Sequence, residues 1–204
     1  MADQPGRPYA ATAAPPLVGR ERELAILREA LTAALAGRGS LVLIGGEAGI
    51  GKTALAEALC AEAIGRGALV LIGRCYDLSE TPPPLAPLAG DEGAGPDGQA
   101  ALFGRVRDFL VAAASRRPLV LVLDDLHWAD PASLDLLRFL ARDLAPLPVL
   151  IVAIYRAEEL TRHHPLFSLL PVLVREAAAR QFDLRALDDD AIHEVSPLTR
   201  TPYC

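Results

Sequence analysis

The sequence predicts an α/β fold in which a parallel, five-stranded sheet is covered by helices on both faces. Short apolar runs alternate along the chain with stretches of helical periodicity, and glycines or prolines separate the two kinds of segment. The strand-like runs are apolar at successive positions rather than at alternate ones. Strands with apolar side chains on both faces are typical of a parallel sheet buried between two layers of helices.

The predicted elements follow one another in a regular order. Apolar positions recur every three or four residues in the helical stretches, whereas the strands are short and apolar throughout. Asp130 precedes a proline, so we expect it to cap the fourth helix. In chain order the sequence predicts a helix from Arg20 to a stop at Gly37, a strand at 41–44, a helix at 52–64, a strand at 68–72, a helix around 102–113, a strand at 119–123, a helix from 130 to about 144, a strand at 149–155, a helix around 166–175 and a strand at 182–184.

These elements define a predicted core domain over residues 17–187. Residues 1–16 contain several prolines and no periodic pattern, so we expect a flexible tail. Within the core, 82–99 is rich in proline and glycine and is predicted to be an exposed loop. Periodicity ends after a short helix start near Asp188, and 188–204 is predicted to be the start of a missing lid or a disordered tail.

Composition limits the class of protein. The chain has 204 residues, of which 51% are hydrophobic and 23% charged. A chain of this size buries most of its apolar surface without disulfides or structural metals, and this composition excludes a disordered protein. The formal net charge of −6 provides no overall field that would attract nucleic acid or anionic lipid. No direct nucleic-acid binding by this segment is therefore expected.

Targeting and cysteine patterns favour a cytoplasmic protein without membrane contact. The first 16 residues lack the charged start and apolar core of a signal peptide. No apolar run approaches the roughly 20 residues that a membrane span needs. Cys60, Cys75 and Cys204 form no CxxC motif and have no histidine at ligand spacing, which fits a reducing compartment.

The segment between the first strand and the second helix carries the strongest functional signal. It reads GEAGIGKT and matches G-x-x-x-x-G-K-[ST] with the strand before it and the helix after it that the motif requires. In such a loop the backbone N–H groups converge on phosphate oxygens, and the helix start adds its positive end. The predicted phosphate site comprises Gly46, Glu47, Ala48, Gly49, Ile50, Gly51, Lys52 and Thr53.

Lys52 and Thr53 have specific predicted roles in this loop. Lys52 would contact the β- and γ-phosphates of a nucleotide, and the Thr53 hydroxyl would bind Mg²⁺. Lys52 is the only lysine among 20 basic residues, so the chain retains lysine only where a compact, flexible charge is needed. This weakens the alternative of a glycine turn that ends in Lys-Thr by chance. Because the chain has no other lysine, it also lacks the N/T-K-x-D guanine motif of GTPases.

Two acids follow the strand at 119–123. Because the carboxyl ends of parallel strands meet at one edge of the sheet, Asp124 is predicted to bind Mg²⁺ and Asp125 to polarise the attacking water. The alternative is that the pair caps the strand and faces solvent. Arg156 follows the fourth strand at the same edge and is predicted to contact the γ-phosphate, the alternative being a solvated arginine at a helix start.

Several other polar or aromatic residues are predicted to have no chemical role. His127 is expected to be a surface imidazole and Trp128 a packed indole. The pair His163-His164 has no acidic or cysteine partner at metal spacing. The pair Glu158-Glu159 is interpreted as acids at a helix start.

Three motifs together resemble the AAA-type ATPase module of the STAND class of P-loop NTPases, found in large LuxR-type transcription regulators and some adenylate cyclases. They are LVGREREL at 17–24, the phosphate loop, and LDDLHWAD at 123–130, and GRCYDLSETPP at 73–83 is also similar to that group. The resemblance covers roughly 17–187. It implies an ATP–Mg²⁺ switch in which Val18, Gly19 and Arg20 line the adenine pocket and Arg156 is the first sensor arginine.

The sequence departs from that family in two respects. In that family a longer helical segment usually follows the region at 81–83, where this sequence is predicted to have a loop rich in proline and glycine. A helical lid, a winged-helix module, sensor repeats and an output domain usually follow the ATPase core, and they are not expected within this sequence. We therefore expect a fragment or truncated product whose partners are ATP, ADP and the missing regulatory and output domains, with nucleotide-dependent self-association left open. Hydrolysis is expected to be slow, because Asp125 is shorter than a glutamate and no lid follows the core.

The leading functional hypothesis is thus a nucleotide switch with weak ATPase activity in a signalling or transcription regulator. A DNA-linked initiator or loader ATPase would share the motifs but should show a basic face or an attached winged helix, and the net charge of −6 argues against it. A small-molecule kinase would need a substrate lid with several arginines.

Overall fold

The computed structural model describes residues 17, 19–76 and 96–186, without the side chains of 96 and 97. The predicted tail at 1–16, residue Val18, most of the predicted loop at 82–99 and the segment 188–204 lie outside the described residues. None of the described helices is long and apolar enough to span a membrane.

Five strands form one sheet in which every pairing is parallel. Their order across the sheet is β2-β3-β4-β1-β5. The predicted fold class, a five-stranded parallel sheet with helices on both faces, is therefore confirmed. The strands are β1 (Ser40–Gly46), β2 (Leu69–Arg74), β3 (Leu119–Asp124), β4 (Val149–Ile154) and β5 (Arg180–Leu184).

The helices alternate with the strands along the chain. Two single turns of 3₁₀ helix, Leu126–Trp128 and Ala157–Glu159, follow the carboxyl ends of β3 and β4. Neither turn was predicted from the sequence. The α-helices are α1 (Glu21–Leu35), α2 (Lys52–Gly65), α3 (Pro96–Ala114), α4 (Pro131–Arg142) and α5 (Pro165–Glu176).

Apolar side chains fill both faces of the sheet. In β4, Val149, Ile151 and Ala153 belong to the core that α3, α4 and α5 cover. Leu150 and Val152 alternate with them and belong to the second core, which α1 and α2 cover. Because successive residues of a strand point to opposite faces, a strand that is apolar at every position is the expected sequence for this central place.

The start of α3 corrects one prediction. The helix begins at Pro96, so residues 96–99 are helical although they were assigned to the exposed loop at 82–99. Proline is tolerated at the first position of a helix, where its missing N–H would have no partner within the helix. A single glycine at position 98 lowers helix propensity by only about 1 kcal/mol relative to alanine and does not end the helix.

The start of α4 follows the prediction. The Asp130 carboxylate accepts hydrogen bonds from the Ser133 backbone N–H (2.9 Å) and hydroxyl (2.8 Å), and Pro131 occupies the first helical position. These bonds satisfy a helix-start donor that would otherwise have no partner in the helix. They fix where α4 begins after the acidic end of β3.

Candidate functional site

The carboxyl ends of β1, β4 and β3 lie side by side at one edge of the sheet. Ile44 in β1 is paired with Ile154 in β4, and Leu123 in β3 is paired with Ala153 in β4. The chain therefore leaves these three neighbouring strands at nearly the same level. This register brings together the loop after β1, the two acids at the carboxyl end of β3 and Arg156 after β4.

These segments line one cavity of about 210 Å³. The predicted convergence of Lys52, Thr53, Asp124 and Arg156 at one sheet edge is confirmed by this shared lining. Of the other residues predicted for the phosphate loop, Gly46, Glu47 and Ile50 lie in the same loop without lining the cavity. The lining residues are Ala48, Gly49, Gly51, Lys52, Thr53, Ala54, Asp124, Asp125 and Arg156.

Glycines shape the loop between β1 and α2. Gly49 and Gly51 have φ values of +74° and +100°, in the region that side chains other than glycine rarely adopt. A Cβ at either position would meet no atom within 4 Å, so the requirement for glycine is conformational rather than steric. The first amides of α2 have no acceptor within the helix, because a helix start leaves its first N–H groups unpaired. Such a start can bind an anion.

The Lys52 side chain lies across this loop. Its ammonium donates hydrogen bonds to the carbonyl oxygens of Gly46 (2.7 Å) and Glu47 (2.6 Å). Burial lowers the pKa of Lys52 from its usual value, while the nearby Glu158 carboxylate acts in the opposite direction. A buried ammonium next to unpaired amides provides a strong site for phosphate oxygens.

The two acids at the carboxyl end of β3 have different environments. Asp124 is only 6% exposed, and its carboxylate accepts hydrogen bonds from the Asp125 backbone N–H (3.0 Å) and from Arg74 (3.3 Å). The alternative that the pair merely faces solvent is therefore wrong for Asp124. Asp125 has a φ of +54°, in the left-handed region that residues other than glycine adopt infrequently, although aspartate adopts it more often than most.

Thr53 and Asp124 fit the chemistry of a magnesium site. Both supply oxygen atoms, the ligands that Mg²⁺ prefers, and both line the same cavity. Among the described residues no group of three or more histidine, cysteine, aspartate or glutamate side chains could hold a metal ion. Mg²⁺ usually completes its coordination with waters and substrate phosphates, so two protein ligands beside a phosphate loop are sufficient.

Arg156 lies at the rim of the cavity. Its guanidinium is 3.9 Å from Asp125 and 3.8 Å from Glu159, and its side chain is 38% exposed. At these distances neither carboxylate forms a close hydrogen bond with the guanidinium. The side chain is therefore free to bind an anion that enters the cavity.

The structure reverses the predicted environments of His127 and Trp128. His127 is 3% exposed, whereas Trp128 is 38% exposed, because the 3₁₀ turn directs the imidazole inward. The backbone N–H of Arg156 donates a hydrogen bond to Nδ1 of His127 at 3.4 Å. Because Nδ1 is the acceptor, Nε2 carries the hydrogen of the neutral ring. That buried N–H has no hydrogen-bond partner among the described residues and lies 3.9 Å from the Asp125 carboxylate.

His164 connects this region to α5. Its Nδ1 accepts a hydrogen bond from the Leu166 N–H at the start of α5, so its Nε2 donates to the His127 carbonyl oxygen, 2.8 Å away. The contact fixes the start of α5 against the turn that carries His127.

Glu158 contacts the phosphate loop, which the sequence analysis did not predict. Its carboxylate accepts a hydrogen bond from the Ala48 N–H at 2.6 Å. Its own backbone N–H, the Ala48 N–H and the charges of Lys52 and Arg156 lower the pKa of this carboxyl. The only sequence signal was its position two residues after Arg156, which places it near the same sheet edge.

The segment predicted to line an adenine pocket is partly described. Arg20 is buried, and its guanidinium donates to the Ile50 carbonyl oxygen at 3.0 Å, which ties the segment to the phosphate loop. The Gly19 N–H donates to Glu21 at 3.1 Å. Val18 lies outside the described residues. Neither Gly19 nor Arg20 lines the cavity, so their contact with adenine stays a prediction.

Known proteins are similar to this chain in sequence or in fold. An uncharacterized protein of Rhizobium meliloti (strain 1021) is 30% identical over 69% of this chain and 18% of its own length. The ORC1 protein of Aeropyrum pernix, solved in complex with DNA, matches 89% of this chain and 49% of its own with 25% identity and a TM-score of 0.55. Rhizobiales Trip13 matches 90% of this chain and 69% of its own with 18% identity and a TM-score of 0.49.

The chain thus spans less than a fifth of the curated relative and about half of the ORC1 chain. A family model described as an AAA ATPase domain matches residues 16–152, which is most of the sequence and includes both the phosphate loop and the acidic end of β3. By this match the protein belongs to the AAA ATPase domain family of nucleotide-binding ATPases.

Proposed function

We propose that this chain is an ATP–Mg²⁺-binding nucleotide switch, of the STAND class, in a cytoplasmic signalling or transcription regulator. The observation that carries the proposal is the single cavity in which Lys52, Thr53, Asp124, Asp125 and Arg156 meet. Two cationic side chains and unpaired helix-start amides suit a polyphosphate. A hydroxyl and buried carboxylate beside them suit Mg²⁺.

Each residue has a distinct role in the proposal. Lys52 and the loop amides bind the phosphates, while Thr53 and Asp124 hold Mg²⁺, which neutralises negative charge on the phosphate oxygens. Asp125 orients the attacking water, and Arg156 contacts the γ-phosphate. By the family resemblance, the segment with Val18, Gly19 and Arg20 contacts adenine.

The position of Arg156 supports a switch rather than a rapid enzyme. Arg156 lies between β4 and the 3₁₀ turn that precedes α5. A phosphate that binds its guanidinium therefore also affects the conformation of the segment that joins β4 to α5. Population shift requires that the ligand bind one arrangement of such a segment more tightly than another. We propose that regulatory and output domains of the kind found in STAND regulators respond to this conformational change.

A thermal-shift experiment tests nucleotide binding. A ligand that binds only the folded state at a hundredfold excess over Kd stabilises it by about 2.7 kcal/mol. Mg-ATP should therefore raise the Tm of the parent chain and leave the Tm of Lys52→Ala unchanged. Arg22→Ala, which changes an exposed cationic residue of α1, should keep the shift. Equal shifts in the parent and Lys52→Ala would refute the assignment.

A second candidate function is that of a DNA-linked initiator or loader ATPase. The similarity to the ORC1 protein solved with DNA favours it. The net charge of −6 opposes it, since DNA binding depends on neutralising phosphates with lysine and arginine. Fluorescence anisotropy with labelled duplex DNA and Mg-ATP separates the two: the switch proposal predicts no binding at physiological salt, and salt-dependent binding there would favour the second function.

A further inference from the structure

We propose that Glu158 competes with nucleotide phosphate for the phosphate loop, so that its carboxylate weakens ATP binding and leaves the loop when ATP enters. This inference rests on the proposed nucleotide site. It assigns to Glu158 a role in setting the affinity of that site. The competition would also couple occupancy of the loop to the segment that precedes α5.

The central observation is the hydrogen bond between the Ala48 N–H and the Glu158 carboxylate, at 2.6 Å. Residue 158 is 110 positions away in sequence, so this is a tertiary contact between two different strand ends. Ala48 is within the phosphate loop and lines the cavity. Backbone amides of such a loop are the donors that bind phosphate oxygens.

Carboxylate and phosphate oxygens have the same preferences in this place. Both accept hydrogen bonds from backbone N–H groups, and both are attracted by cations. Hydrogen bonds from the backbone N–H groups of Glu158 and Ala48 lower the pKa of the Glu158 carboxyl, and the charges of Lys52 and Arg156 lower it further. A phosphate that entered the cavity would meet the same two cations and would be repelled by the resident carboxylate. The two anions therefore exclude each other at the Ala48 amide.

Glu158 is well placed to leave the loop. Its side chain is exposed, so rotation into solvent breaks no packing. It lies in the 3₁₀ turn Ala157–Glu159, which begins directly after Arg156 and precedes α5. Displacement of the carboxylate would release the contact between this turn and the phosphate loop. Both Arg156 and the segment between this turn and α5 would then change conformation when phosphate occupies the loop.

The neighbouring residue provides a matched control. Glu159 is an acid in the same turn, is exposed and lies 3.8 Å from Arg156. The hydrogen bond to Ala48 is made by Glu158 and not by Glu159. Glu159→Ala therefore removes the same charge from the same turn without freeing the loop amide.

Isothermal titration of the full chain with Mg-ATP tests the competition. Exposed charge pairs of this kind change equilibria modestly, so we expect Glu158→Ala to bind Mg-ATP about two- to fivefold more tightly than the parent chain. Glu158→Gln should also bind more tightly because it lacks the charge, and Glu159→Ala should match the parent. Inorganic pyrophosphate with Mg²⁺, which has no adenine, should show the same order of affinities.

The outcomes separate this inference from the proposed site. If the parent binds Mg-ATP and Glu158→Ala binds it equally or more weakly, Glu158 is no competitor and the inference fails alone. The same conclusion follows if Glu159→Ala gains as much affinity as Glu158→Ala. The gain would then come from removing any negative charge from the turn, not from freeing the Ala48 amide. If neither the parent nor Glu158→Ala binds Mg-ATP, the proposed function fails with it. Unchanged far-UV circular dichroism of each variant verifies that it is folded.

Discussion

At the scale of single residues, His127 contacts two neighbouring segments and faces a third. Its ring Nδ1 accepts a hydrogen bond from the backbone N–H of Arg156, its backbone carbonyl oxygen accepts one from His164, and its Nε2 lies 3.9 Å from the Asp125 carboxylate. A buried donor without a partner destabilises a protein by about 1–3 kcal/mol. Keeping His127 buried therefore has an energetic cost.

The burial of His127 predicts a pH dependence of stability. Burial lowers the pKa of its imidazole, an effect that Asp125 and Glu159 oppose and that Arg156 and Lys52 reinforce. Between the lowered pKa and the usual value near 6.5, the unfolded state binds more protons than the folded state. The free energy of unfolding therefore falls as the pH falls below about 6.5, by at most about 1.4 kcal/mol per pH unit for this group.

Urea unfolding at pH 7.5 and pH 5.5 measures this contribution. His127→Phe removes the titrating group, so its free energy of unfolding should fall less than that of the parent chain between the two pH values. His163→Phe changes an exposed histidine and should retain the parent's pH dependence. An identical pH dependence in the parent and His127→Phe would contradict the assignment of a buried neutral imidazole.

The phosphate loop was predictable because its residues are contiguous and each has a local physical reason. The glycines at 49 and 51 adopt backbone angles that other residues avoid, and Lys52 begins a helix. The roles of Glu158 and His127 were not predictable in this way. Glu158 acts on an amide 110 residues away, and His127 is buried by a single 3₁₀ turn that periodicity does not reveal.

At the scale of secondary structure, the carboxylate cap fixes the start of α4. Burial acts to raise the pKa of Asp130, but the hydrogen bonds from Ser133 and from the backbone N–H groups of Ala132 and Asp130 together lower it. Replacing an aspartate cap by alanine lowers stability by about 0.5–2 kcal/mol. Asp130→Ala should therefore reduce the free energy of unfolding by that amount in urea titrations at pH 7.

Asp135→Ala is the matched control for the cap. Asp135 is exposed within the same helix, so its replacement removes a charge from α4 without removing a cap. Its free energy of unfolding should stay within about 0.5 kcal/mol of the parent value. If both variants lose the same free energy of unfolding, the loss comes from the change in the charge of α4 and not from the missing cap.

The strands were easier to predict than the boundaries of α3. Each strand is a short apolar run flanked by turn residues, and its burial on both faces leaves a direct pattern in the sequence. In α3 the proline and glycine at 96 and 98 resemble loop residues, yet they lie in its first turn. Moreover Phe109, a large apolar residue of this helix, is 62% exposed.

At the scale of the whole molecule, the strand order places the site. The order β2-β3-β4-β1-β5 puts β4 between β3 and β1, so three chain segments that are distant in sequence end together. The sequence indicated parallel strands and their polar ends, and the general rule for such sheets predicted a shared edge. It did not specify which strands are neighbours, because pairing depends on contacts between distant segments.

The arrangement predicts slow hydrolysis by this chain. Asp125 is the candidate for orienting water, and Arg156 is the only arginine among the described residues that line the cavity. An arginine supplied in addition by a lid or neighbouring protein accelerates phosphoryl transfer by about 10³–10⁵ where it has been measured. Phosphate release under saturating Mg-ATP should therefore lie near background. A turnover of about 1 s⁻¹ or faster would show a self-sufficient ATPase and contradict the switch proposal.

Direct titration of the chain with nucleotide tests the central claim, that the cavity at this sheet edge binds Mg-ATP. Calorimetry with ATP, ADP and GTP, each with and without Mg²⁺, should show saturable binding of the adenine nucleotides, tighter ATP binding with Mg²⁺, and no measurable binding to Lys52→Ala. Asp124→Asn should lose most of the Mg²⁺ dependence while it retains binding. Absence of ATP binding to the parent chain, or equal binding to the parent and Lys52→Ala, would contradict the account.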